Sequence, residues 1–146
     1  MAPRAEAKMM APETDTQQIA QTLSTGLRGF EAFKLGLAKG EWQDFLAMLT
    51  DDFEFYFPVG NYKGRNQGKA RAQEFFSYVA EVYNQGLHVV EMLRMTANEK
   101  TIVFEFRDEG MLRGEMYRNR VTVSWEIRDG KIASYREYFG SDGKSN

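Results

Sequence analysis

Two runs near the C-terminal end, Glu115–Arg128 and Lys131–Gly140, constrain this chain more than any other stretch. They are separated only by Asp129-Gly130, a dipeptide that favours the tight turn of a β-hairpin. Side chains on a strand alternate between two faces, so the first run places Tyr117, Asn119, Val121, Val123, Trp125 and Ile127 on one side. Met116, Arg118, Arg120, Thr122, Ser124 and Glu126 take the other side. The second run sets Tyr135, Glu137 and Phe139 against Ile132, Ser134, Arg136 and Tyr138. One face is thus apolar and aromatic but interrupted by an amide, a carboxylate and two phenols. A plain core has little use for such groups, whereas a lined pocket does.

The rest of the chain supplies what could close that pocket. Thr14 and Asp15 offer N-cap chemistry. Ile19, Leu23, Leu27, Phe30, Phe33 and Leu37 then follow the spacing of an amphipathic helix that ends at Lys39-Gly40. Gly26, Gly29 and Gly36 weaken that helix or let another element approach it closely. Glu41–Thr50 is expected as a second helix, Phe53–Pro58 as a strand, 59–67 as a loop and Gly68–Gln85 as a third helix. Leu87–Met95 and Thr101–Arg107 read as further strands, with turns at Asn98-Glu99 and Glu109-Gly110. Helices first and antiparallel strands afterwards indicate an α+β domain over residues 15–140, with polar tails at 1–14 and 141–146.

Composition narrows the function classes. The 146 residues form one domain with enough apolar content, 42%, to bury a substantial core. Nineteen basic and 21 acidic residues give a net charge of −2, which supplies no electrostatic footprint for nucleic acid. No run approaches the length of a membrane span, and Met1–Ala11 has no signal-peptide core. The chain contains no cysteine, which excludes a disulfide framework and a thiol nucleophile and is consistent with the cytoplasm. One histidine and no cysteine make a transition-metal site an unexpected feature.

Several short motifs, in order, resemble one superfamily. Gly40-Glu41-Trp42, then Leu49-Thr50-Asp51-Asp52-Phe53, look like the helix–strand junction of the nuclear transport factor 2-like proteins. Phe57-Pro58-Val59-Gly60, Tyr62-Lys63-Gly64 and Phe75-Phe76 continue the likeness. Tyr117-Arg118-Asn119-Arg120, Gly130-Lys131-Ile132 and Tyr135-Arg136-Glu137-Tyr138-Phe139 are similar to the SnoaL-like polyketide cyclase branch. The resemblance implies a cone, in which a strongly curved antiparallel sheet wraps a long N-terminal helix and leaves an apolar pocket at its open end. Members include cyclases, isomerases, dehydratases, epoxide hydrolases and binding proteins without activity, so the site must decide the function. Aligned at the shared junctions, the carboxylate base and phenol of the ketosteroid isomerases fall on Phe57 and Phe33, and their acid near Val123. All three positions are apolar, which argues against that reaction.

The candidate site follows. Trp42, Phe57, Tyr62, Phe104, Phe106, Trp125 and Phe139 are expected as walls, and Tyr117, Asn119 and Tyr135 as groups that position a ligand oxygen. Their structural reading is mutual satisfaction of buried polar groups. Glu137, a carboxylate among aromatics, is the first candidate general acid or base; structurally, it would be a buried acid paired to a neighbour. His88, at a strand start beside the Val90 and Met92 face, is the second candidate, against an exposed or packed role. Asp108 and Glu109 read as a solvated turn. The expected ligand is a small apolar or aromatic molecule bound without a cofactor. The resemblance also implies that the face bearing Arg118, Arg120, Glu126 and Arg136 packs against a second copy, as a homodimer. The competing reading is a non-catalytic binding or assembly domain.

Overall fold

The computed structural model describes residues 14–141, so the expected tails lie outside the described residues apart from Thr14 and Ser141. Helix α1 spans Asp15–Lys39. The Gln17 backbone N–H donates to Thr14 Oγ1 at 3.2 Å while the Thr14 N–H donates to Gln17 Oε1 at 3.0 Å. These two bonds form a capping box and satisfy donors that a helix start otherwise leaves open. Phe30, Phe33 and Leu37 form the buried end of the α1 stripe, whereas Leu27 is 43% exposed. A Cβ on Gly36 would lie 2.3 Å from the Trp42 ring, so this glycine lets the indole lie directly on the helix backbone.

The second helix, α2 (Gln43–Ala47), is shorter than the expected Glu41–Thr50. The sheet takes the remainder: Ile132 N–H donates to Met48 O at 2.8 Å, and Leu49 pairs with Ile132, so strand β1 (Leu49–Phe57) begins earlier. The expected loop at 59–67 contains a single 3₁₀ turn at Gly60–Tyr62 and strand β2 (Gly64–Gln67). Helix α3 (Lys69–Val82) buries Ala72, Phe75 and Phe76. Strands β3 (Leu87–Ala97), β4 (Thr101–Leu112), β5 (Glu115–Arg128) and β6 (Lys131–Gly140) complete the chain.

One curved six-stranded sheet results, in the order β2-β1-β6-β5-β4-β3, with β2 and β3 as its edges. It is a mixed sheet rather than a wholly antiparallel one, because β1 runs parallel to β6. Parallel neighbours need a long crossover, and here most of the domain lies between the two strands. A further departure concerns Ile132, expected on the outer face and found wholly buried. Glu126 pairs with Ser134 but Ile127 pairs with Ile132, so Ala133 is an extra residue on β6. That bulge reverses the alternation and turns Ile132 inward.

The closed end of the sheet is filled with rings. Phe30 stacks on Phe104 at 4.3 Å, Phe104 meets Trp125 at 5.1 Å, and Phe33 meets Trp125 edge-on at 5.7 Å. Such offset and edge contacts add to the burial energy of each ring. The open end of the same sheet is where polar groups enter.

Candidate functional site

Strands β4, β5 and β6 each carry an inward-facing row that changes character along its length. On β4 the buried residues are Ile102, Phe104, Phe106 and then Asp108, which is 4% exposed. On β5 the row runs from Trp125 through Val123 and Val121 to Asn119 and Tyr117. On β6 it runs from Tyr135 to Glu137 and Phe139. Together with α3 and the Trp42 indole, these rows enclose a cavity of about 310 Å³. This lies at the lower end of the size range of small-molecule sites. Val59, Tyr78, Val82, Leu112 and Arg113 complete its lining.

Of the expected site residues, Trp42, Phe57, Phe106, Tyr117, Tyr135, Glu137 and Phe139 line this cavity. Phe104 and Trp125 are wholly buried in the adjoining core and are not part of the lining. Tyr62 also lies outside the lining; it packs on Phe75 at 5.1 Å and on Tyr78 at 5.6 Å, with the Arg71 guanidinium 4.2 Å from its ring centre. Asn119 is buried behind Tyr117 and donates through Nδ2 to the Tyr117 hydroxyl at 2.7 Å. His88 is exposed and outside the cavity; Leu87, its neighbour of opposite parity, faces inward instead.

Asp108 overturns the expectation of a solvated turn. Strand β4 continues to Leu112, and the turn lies at Arg113-Gly114 rather than at Glu109-Gly110. Gly110 sits inside the strand, where a Cβ would come within 2.6 Å of the Gly86 carbonyl oxygen. The signal was the alternation itself: Phe104, Phe106 and Asp108 share one parity. Glycine and two charges were misread as its end.

The electrostatics follow from burial. The Tyr135 hydroxyl donates to Glu137 Oε1. Burial pushes the Glu137 carboxyl up to about 7, and the Tyr135 bond acts against that rise. Asp108 is pushed up to about 7 as well, first by burial and then by the charge of Glu137. Desolvation and a like charge both disfavour the ionised form of an acid. Burial also raises the Tyr117 and Tyr135 hydroxyls above the ordinary phenol range, which keeps them protonated. Tyr117 is hydrogen-bonded in turn to Tyr83, another cavity residue. Asn119, Tyr117 and Tyr83 thus form one polar chain that ends at the cavity. Asp108 Oδ1 and Trp42 Nε1 are buried without a hydrogen-bond partner among the described residues.

The positions aligned with the isomerase base and phenol, Phe57 and Phe33, line the cavity, and Val123 is wholly buried. The described residues contain no group of three or more His, Cys, Asp or Glu side chains that could hold a metal ion. No helix among them is long and apolar enough to cross a membrane. On the outer face, Arg118 Nε lies 3.7 Å from Glu109 and Arg107 lies 2.9 Å from Glu91, ion pairs made within the chain.

A long N-terminal helix packed in a curved, six-stranded mixed sheet defines an α+β fold of the nuclear transport factor 2-like and cystatin-like kind. The SnoaL-like domain profile matches residues 28–135, and the chain belongs to that family. A crystal structure of a nuclear transport factor 2-like protein from Anabaena variabilis ATCC 29413 is similar at a TM-score of 0.84. It is 55% identical, with 92% of this chain and 98% of that one covered. A candidate polyketide cyclase from Xanthomonas campestris pv. campestris shares the fold at a TM-score of 0.71 and 20% identity, over 84% of this chain and 93% of that one. The uncharacterised protein YesE of Bacillus subtilis strain 168 is 29% identical over 119 residues, 77% of this chain and 78% of its own.

Proposed function

We propose that this protein binds a flat apolar or aromatic carbonyl compound and catalyses a cofactor-free proton transfer on it, of the kind used in cyclisation, isomerisation or dehydration. The observation that carries this reading is Glu137, a carboxyl desolvated in an aromatic cavity, held by Tyr135 and titrating at about 7. A base near the working pH combines a useful ionised fraction with a useful affinity for the proton. Glu137 takes a proton from the carbon beside the carbonyl, the electron pair moves onto the oxygen, and the resulting enolate recovers the proton at a new position. The Asn119–Tyr117–Tyr83 chain ends in a phenol facing the cavity, a donor suited to that oxygen. His88, outside the cavity, takes no part.

The test is hydrogen exchange at the activated carbon of a flat aromatic ketone, 2-tetralone, in heavy water. The wild-type protein accelerates deuterium uptake, and Glu137→Gln lowers that acceleration by about 10²–10⁴-fold. Full exchange in the variant contradicts the base assignment. Binding of the ketone without any exchange favours the non-catalytic reading.

In the same reading the domain works as a homodimer through the outer sheet face, where Tyr138 and Met116 are 47% and 57% exposed. Sedimentation at micromolar concentration is expected to give twice the chain mass; a monomer contradicts it.

A further inference from the structure

The acidic end of the cavity has more acceptors than the chain itself satisfies. Asp108 is 4% exposed and lines the cavity, yet its Oδ1 meets no donor among the described residues. Glu137 receives the Tyr135 hydroxyl on one oxygen, and an ionised carboxylate can accept about four bonds. The groups of known charge or titration facing this end come from every surrounding element. They are Asp108 from β4, Tyr117 from β5, Tyr135 and Glu137 from β6, Tyr78 from α3 and Tyr83 after it. Among the described residues, the one cationic side chain in the lining is Arg113, exposed on the β4–β5 turn at the rim. Among the described residues, buried Asp108 and half-buried Glu137 therefore share an aromatic chamber with no internal counter-cation.

We propose that this end of the cavity binds a protonated amine, so that the ligand is an aromatic or apolar carbonyl compound that also carries a basic nitrogen. The proposal rests on the reading of the cavity as a small-molecule site. Asp108 takes the ammonium at its carboxylate, where the residue lines the cavity, Glu137 faces the reacting carbon, and the surrounding rings offer π faces to the positive charge. An ammonium group has three donors and no acceptor, the complement of two carboxylates. An anionic ligand head would instead meet two like charges in a desolvated site. A hard metal ion such as calcium requires six to eight oxygen ligands, more than two carboxyls supply. The raised carboxyls agree with this assignment, because a bound cation favours their ionised forms.

The test uses three probes of one shape: 2-aminotetralin, 2-tetralol and tetralin-2-carboxylate, bound to the full chain and followed by calorimetry. Near pH 8 the amine is expected to bind at least about tenfold tighter than the alcohol, with the carboxylate weakest. This preference shrinks toward pH 6, as the two carboxyls protonate. Asp108→Asn brings the amine-to-alcohol ratio toward one, and Glu137→Gln reduces it by a smaller factor. His88→Ala, outside the cavity, leaves the ratio unchanged and controls for general effects of substitution. Equal binding of amine and alcohol, or an undiminished preference in Asp108→Asn, overturns the amine assignment while leaving the small-molecule reading intact. Failure of all three probes and of 2-tetralone to bind defeats both.

Discussion

The two ends of strand β4 differ more than their shared geometry suggests. Phe104 and Asp108 have the same parity, both are buried, and four residues separate them. Phe104 stacks on Phe30 and touches Trp125, whereas Asp108 lines a cavity and has an oxygen with no partner among the described residues. The same change runs along β5, from Trp125 to Tyr117. Inward parity therefore specifies burial, not core. What distinguishes the two ends of one continuous sheet is what the inward residues face: other rings at the closed end, a cavity at the open end.

Substitutions at those two positions should differ in sign. Phe104→Ala removes a ring from the closed end and should cost about 3–5 kcal/mol in chemical denaturation. A loss below about 1 kcal/mol would mean that the closed end is not the packed core.

Asp108→Asn should have a smaller and opposite effect near pH 8. Asp108 and Glu137 both titrate higher in the folded protein than their ordinary 3.8 and 4.5. An acid with a raised folded pKa binds its proton more readily when folded. Its contribution to stability is present below the unfolded pKa and lost as pH rises through about 7. Between pH 5 and pH 8 the unliganded wild type should therefore lose stability. Asp108→Asn should flatten that slope and gain about 1–3 kcal/mol at the alkaline end. A wild-type profile that is flat or rises over that window would contradict the burial of the pair.

Much of this fold was legible in the sequence, and the reasons are local. The Asp129-Gly130 turn set the first β5–β6 pairs, Arg128 with Lys131 and Ile127 with Ile132, and strict alternation set which β5 residues face inward. The Thr14 cap and the Phe30–Phe33–Leu37 stripe fixed α1. Less was legible where non-local pairing overrides local pattern. The parallel β1–β6 contact shortened α2, and the Ala133 bulge turned Ile132 inward, neither of which leaves a periodic trace.

Within the site, strand parity and the family resemblance together marked Tyr117, Tyr135, Glu137 and Phe139, and all four line one cavity. Asp108 was missed because charge and a following glycine suggested a turn, although its parity matched that of Phe106. Val82 and Tyr83, at the end of α3, both line the cavity. His88 attracted attention for its chemistry, but its strand position directs it away from the cavity. Strand parity was the better guide of the two.

Carboxyl-carbon NMR of the unliganded protein, with Asp108→Asn and Glu137→Gln used for assignment, decides whether the open end of the cone holds two desolvated carboxyls on one cavity. Both groups are expected to titrate at about 7, and loss of the Glu137 charge is expected to lower the value for Asp108. Titration of both near the ordinary carboxyl range of about 4 would show a solvated pair and rule this arrangement out.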